Sequence, residues 1–269
     1  MVKTLFKYEF KAYARTLLPL QAILVAIAVI TRGVQLFESD NIAYDIVFVS
    51  SVIMLCISML VLLVFGVIFS ISRFYKNLFS HEGYLSFTLP VTTNQHLLTK
   101  LVMAFTFTLI SVVSIIISAM VATDWDMLVE LFKVIGYVFG RFVDLTHGHA
   151  VIFAVEFIVA ALITIINNYL IYYGCISIGQ TAKKNRILAA FGVYFGYYLI
   201  TQTIGTIGIL IINALTYTDF WADLGNWVYF HQYTFVHLLM CSVIVISLVL
   251  GFVYYIISRK IITNKLNLE

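Results

Sequence analysis

LVMAFTFTLISVVSIIISAMVAT fills residues 101–123 and contains no acid, base or histidine. As an α-helix at 1.5 Å per residue it reaches about 34 Å, enough to cross the roughly 30 Å hydrocarbon core of a bilayer. A charge at the centre of such a helix costs about 2.5–3.5 kcal/mol on insertion, so charge-free runs mark the other spans. Upstream lie Ile46–Ser72 and, between Arg15 and Arg32, TLLPLQAILVAIAVIT. The latter is short, but Arg15 can snorkel and VQLF can extend it. Downstream lie Val151–Gln180, which contains Glu156, then Ile187–Tyr217 and Phe235–Ser258. Six spans are therefore expected in an all-α membrane protein, with residues 1–269 as a single transmembrane domain.

Composition agrees. Of the 269 residues 62% are hydrophobic and 11% charged, against about a quarter charged in soluble domains. Mean hydropathy is +1.02. So little polar surface cannot cover a water-soluble globule. No dense basic patch stands apart from the spans, which argues against nucleic acid as a partner. Cys56, Cys175 and Cys241 all lie within apolar runs without metal-ligand spacing and read as buried apolar residues. The basic N-terminus has no uninterrupted apolar core, so the first span is expected to be retained and not cleaved as a signal.

Charge placement sets the expected orientation. Lys3, Lys7, Lys11 and Arg15 precede the first span; Arg73, Lys76 and Lys100 lie between the second and third; Lys183, Lys184 and Arg186 between the fourth and fifth; Arg259, Lys260 and Lys265 after the sixth. Thirteen of the 16 basic residues thus share one side. The positive-inside rule makes that side cytoplasmic, with both termini there and the protein in the plasma membrane.

Outside the spans, residues 1–15 suit an amphipathic helix on the membrane surface. Lys3, Lys7, Lys11 and Arg15 recur every four residues, with Val2, Leu5, Phe6, Phe10 and Tyr13 on the other side. Glu9 interrupts the apolar arc. It reads either as an exposed acid on a frayed helix or as a contact to a protein partner. On the outer side, 124–150 and 217–236 are expected as interfacial segments. LFKVIGYVFGRFV (131–143) is too short to span and carries Lys133 and Arg141, which suits an interfacial or re-entrant helix, and FWADLGNWVYFHQY (220–233) suits an aromatic belt.

Catalytic motifs are missing: there is no GxxxxGK[ST] phosphate loop, no HExxH helix and no GxSxG elbow. DLTHGH (144–149) could offer Asp144, His147 and His149 to a metal, but two histidines and one acid are a low-specificity pattern and read as a polar loop. Glu156, an acid at the outer end of the fourth span, is either a pathway residue or a water-exposed interfacial one. Asn167 and Asn168 should face protein or water. In the fifth span, Gly192 and Gly196 with Gln202 allow close helix packing, within one chain or between two.

RFYKNLFSHEGYLSFTLPVTTNQHLLTKLV (73–102) is too long for a tight turn and too apolar for a plain loop. Tyr84, Leu85, Phe87 and Leu89 need something to bury against. Gly83 and Pro90 punctuate the stretch, and Thr93 or Asn94 can cap the helix that follows. Structure of this kind between two spans suits docking to a soluble partner, or a loop that only packs on the membrane surface.

This stretch resembles the permease subunits of ABC transporters of the ABC-2 superfamily, of a Gram-positive type. The likeness rests on Arg73, Phe74 and Tyr75 at the end of the second span; on Glu82, Gly83, Tyr84 and Leu85; on Thr88, Leu89, Pro90 and Val91; and on Lys100. The surface helix and span count extend it over most of the chain. The resemblance implies that 73–100 is a cytoplasmic coupling helix seated in a groove of a separate ATPase subunit, through Arg73, Lys76, His81, Glu82, Gly83, Tyr84, Leu85, Leu89 and Pro90. Residues 1–15 would lie nearby, with Glu9 as a contact. It further implies two ATPase subunits that bind ATP and Mg, and a second permease chain, identical or homologous. No cofactor is expected in this chain. The function implied is export of a peptide, antibiotic or other amphiphile, with no enzymatic step in the chain itself. Two other readings stand beside it: a stand-alone secondary transporter or channel, and a peptide-binding immunity or sensor protein.

Overall fold

In the computed structural model, residues 2–37, 39–80, 83, 88, 90–215 and 219–264 are described, with only the backbone at 215 and 219–222. Every regular element among them is helical. The order is α1 (Val2–Gln35), α2 (Ile42–Phe79), α3 (Thr93–Ala122), α4 (Trp125–Leu145), α5 (Ala150–Gly179), α6 (Arg186–Leu215), α7 (Asp219–Phe230) and α8 (Gln232–Asn264). Six of them, α1, α2, α3, α5, α6 and α8, are long and apolar enough to cross a membrane. The chain is a multi-pass membrane protein.

Packing groups the helices into two compact units, Met1–Gly140 and Arg141–Glu269. In the first, α1 and α3 run parallel and α2 antiparallel to both. Tyr13 of α1, fully buried, stacks on Phe107 of α3 at 5.2 Å and meets Phe69 of α2 edge-on at 5.1 Å. Leu17 and Met103 complete that layer, and Leu24, Ala28, Leu55, Leu62 and Ala122 form the next. Polar contacts join the helices along their length. Gln21 Nε2 donates to Ser111 Oγ at 3.2 Å, Thr31 Oγ1 to the Ser51 carbonyl at 3.4 Å, and Gln35 Nε2 to the Ala122 carbonyl at 3.0 Å. Arg32 pairs with Asp124.

In the second unit α5 and α8 run parallel and pack along much of their length. Small residues permit this. A Cβ on Gly251 would stand 2.9 Å from Asn167 Oδ1, and one on Gly174 2.4 Å from the Tyr254 ring. At Gly179 a Cβ would meet the backbone of Ala190 on α6 at 2.5 Å, so glycine allows the α5–α6 turn to close.

The structure departs from the sequence reading at several points. Residues 2–15 are not a separate surface helix; they continue into the first span as one 34-residue helix with Pro19 inside it. No breaker lies between Arg15 and Leu18, and Tyr13 and Leu17 lock both parts into one core layer. The cap of α3 is Thr92, not Thr93 or Asn94. Its Oγ1 accepts from Gln95 N–H, and Gln95 Oε1 accepts from the Thr92 N–H at 2.9 Å, a reciprocal capping box. Cys175 is buried, but Cys56 and Cys241 are exposed on the chain. Lipid tails are as apolar as a protein core, so hydropathy alone cannot tell an inward cysteine from an outward one. The 131–143 stretch lies within α4, a 21-residue helix with no buried side chain.

Candidate functional site

The least expected feature of the first unit is a buried carboxylate. Glu9 sits one turn before Tyr13 on α1 and is 4% exposed. Arg73, near the end of α2, grips it with two parallel bonds: Nε to Oε1 and Nη2 to Oε2, each 3.0 Å. Lys100, in the second turn of α3 and also 4% exposed, donates from Nζ to Oε1 at 2.7 Å. Three helices thus meet at one acid. The exposed, frayed reading of Glu9 is corrected: the side chain is enclosed and ion-paired within its own chain.

Both cations meet the same carboxylate. The planar guanidinium supplies the bidentate geometry, and the lysine adds a point charge on the shared oxygen. Removing one partner from a buried ion cluster costs about 3–5 kcal/mol, because the other charges stay desolvated. The arrangement is a clamp. It ties the end of α2 and the start of α3, the two feet of the 80–92 connection, to α1. Phe74, Leu78 and Phe79 are buried beside the first foot, and His96, Leu97 and Thr99 beside the second.

Of the residues assigned to ATPase coupling, Arg73 lies in the clamp and Lys76 is exposed on the next turn. Gly83 is buried, and its N–H donates to the Ser80 carbonyl at 2.7 Å. Pro90 is exposed. His81, Glu82, Tyr84, Leu85 and Leu89 lie outside the described residues. Lys100, which the sequence reading used only for orientation and resemblance, is a full partner of the clamp.

In the second unit, Glu156 is half-buried and paired with His237 of α8, whose Nδ1 lies 2.8 and 2.9 Å from its two oxygens. His237 Nε2 lies 3.1 Å from Nδ1 of His149. His237 escaped the sequence reading, although an ionisable residue inside the 235–258 run was a legible signal. Asn167 faces Gly251, and Asn168 is exposed. Gly192 and Gly196 have no atom within 4 Å of a built Cβ, and Gln202 is exposed. Their side of α6 has no packing partner among the described residues.

An apolar cavity of about 60 Å³ in the first unit, between Leu17, Leu62 and Phe107, is far smaller than the roughly 300–1,000 Å³ of ligand clefts. No group of three or more metal-ligating side chains occurs among the described residues. In comparisons with known proteins, no family model, no curated protein and no solved structure matches the chain.

Proposed function

We propose that this chain is the permease subunit of an ATP-driven ABC exporter. Its termini and the 73–100 stretch face the cytoplasm, and two ATPase subunits, which bind ATP and Mg, dock on the connection between α2 and α3. A second permease chain, identical or homologous, completes the membrane part. The substrate class is a peptide, antibiotic or other amphiphile. The observation that carries this reading is the clamp. A connection that receives force from a soluble subunit must be anchored, or the push is lost in loop motion. Glu9 anchors both of its feet to α1, so a displacement at 80–92 reaches α1, α2 and α3 together, as rigid-body switching requires. The basic residues of residues 2–15 are the amphipathic, partner-facing part of the same helix under this reading.

Co-expression with the neighbouring reading frames and purification in detergent tests it. An ATP-hydrolysing subunit should co-purify in equal amount and be lost from the Glu82→Lys, Tyr84→Ala double variant while the permease stays monodisperse. A stable chain that never brings an ATPase with it contradicts the proposal. A second reading, a stand-alone secondary transporter, draws support from Glu156 and its histidine partner, since an intramembrane acid–base pair is a common site of ion coupling.

A further inference from the structure

The α4–α5 connection and the first turns of α5 and α8 bring together a chain of three ionisable side chains. His237 Nδ1 bridges both oxygens of Glu156, and His237 Nε2 faces His149 Nδ1 at 3.1 Å. His237 lies against the Phe153 ring at 4.2 Å, and His149 stacks on Tyr233 at 5.1 Å. The Tyr233 hydroxyl donates to the Leu145 carbonyl at 2.7 Å, the last residue of α4. The connection itself turns through His147 (φ 44°) and Gly148 (φ 92°). His149 follows at once, so its contact with His237 decides how this turn sits on α8.

Proton counting gives this chain an unusual property. A carboxylate only accepts, so His237 Nδ1 carries a hydrogen. Between His237 Nε2 and His149 Nδ1 there is room for one hydrogen, on either nitrogen. With that hydrogen on His149 Nδ1 and both imidazoles neutral, the cluster is −1. One proton taken up makes His237 a cation paired with Glu156. The Nδ1 hydrogen of His149 passes to His237 Nε2, which then donates back to His149 Nδ1, and the incoming proton sits on His149 Nε2. The contact survives and the cluster is neutral. A second proton taken up by the imidazoles has only His149 Nδ1 to go to, and two N–H groups then face each other at 3.1 Å. That contact must open.

We propose that Glu156, His237 and His149 form a proton-binding site that accepts one proton intact and, on the second, releases the α4–α5 connection from α8. The surroundings suit this role. His147 meets Tyr233 edge-on at 6.0 Å. Arg141 and Asp144 lie on the last turns of α4, and Asp223 and His231 on α7 and at its junction with α8. α6, packed against α5, carries no acid, base or histidine from Ile187 to Leu215. Among the described residues no lysine or arginine pairs with Glu156, so its charge is met by imidazoles. This inference is independent of ATPase coupling.

The test uses the full chain in lipid nanodiscs with ¹⁵N-labelled histidine, titrated from about pH 8 to about pH 5, alongside hydrogen exchange of the 144–150 backbone corrected for intrinsic pH dependence. His149→Gln and His237→Gln assign two of the six histidines. Two protonation steps are expected, the second coinciding with a tenfold or greater rise in exchange at 144–150. In His149→Gln the second step and the rise should both vanish, and in Glu156→Gln the first step should move to lower pH. Protection around Asn167 and Gly251 reports whether each variant is folded; if one is not, the coincidence in the wild-type chain decides. Exchange at 144–150 that stays flat across the titration overturns the proposal. So does titration of His149 and His237 that ignores Glu156→Gln.

Discussion

Each of the two units places one glutamate at the meeting point of its helices, and the company each keeps sets what it can do. Glu9 faces Arg73 and Lys100, a planar guanidinium and an ammonium. Glu156 faces His237 and, through it, His149, two imidazoles that can each donate or accept. The Glu9 carboxyl and its lysine are enclosed, with Arg73 reaching the surface; the second acid and its imidazole keep 16–20% of their surface open. A carboxylate between a guanidinium and an ammonium makes a joint. The same group among imidazoles makes a site whose contacts depend on proton supply.

The sharpest way to break this comparison is to remove each acid in turn. Glu9→Ala removes the acid that Arg73 and Lys100 share and should cost about 3–5 kcal/mol. The measurement is the unfolding midpoint in mixed micelles, at about pH 7 and again at about pH 8, with the same loss expected at both. Overpacking comes next. Gly179→Val would push a side chain into the Ala190 backbone and should cost about 1–3 kcal/mol, with loosened α5–α6 contact read by crosslinking between introduced cysteines. Glu156→Gln should be milder, about 1–2 kcal/mol, because the imidazoles can shed a proton when their acid is gone. Smallest of all, Gly192→Ala and Gly196→Ala should leave folding within about 1 kcal/mol of wild type, since nothing among the described residues stands near either site. Larger residues there sharpen the second-chain proposal: Gly192→Leu should weaken self-association in detergent while the unfolding midpoint holds.

These two glutamates also mark where the sequence was readable. The existence of six spans was legible, because a charge-free run of this length has few other uses. Their ends were not. The apolar signal stops at the first charge, while backbone hydrogen bonding carries α2 to Phe79, starts α3 at Thr93 and takes α8 to Asn264. The T-x-x-Q capping box at Thr92 was written in the sequence but passed over for its neighbours. Glu9 stood out correctly as an acid in an apolar arc. Its partners lie 64 and 91 residues away, a pairing that no local pattern reveals. His149 read as part of a polar loop, because its role depends on His237 of a distant helix. The neighbours of Gly192 and Gly196 stayed open for a similar reason: helical spacing shows a small face, not what lies against it.

The clamp's role as the anchor of a docking element is the central claim, and crosslinking at Thr88 tests it most directly. Thr88 is exposed on the 80–92 connection. A photoreactive residue is placed there in cells that also express the neighbouring reading frames, with a second at exposed Ile57 on α2 as the membrane control. The account predicts a crosslink from position 88 to an ATP-hydrolysing protein, none from position 57, and loss of the first in Glu9→Gln while the chain stays in the membrane. A position-88 crosslink that persists unchanged in Glu9→Gln, or one that never captures an ATPase, would contradict it.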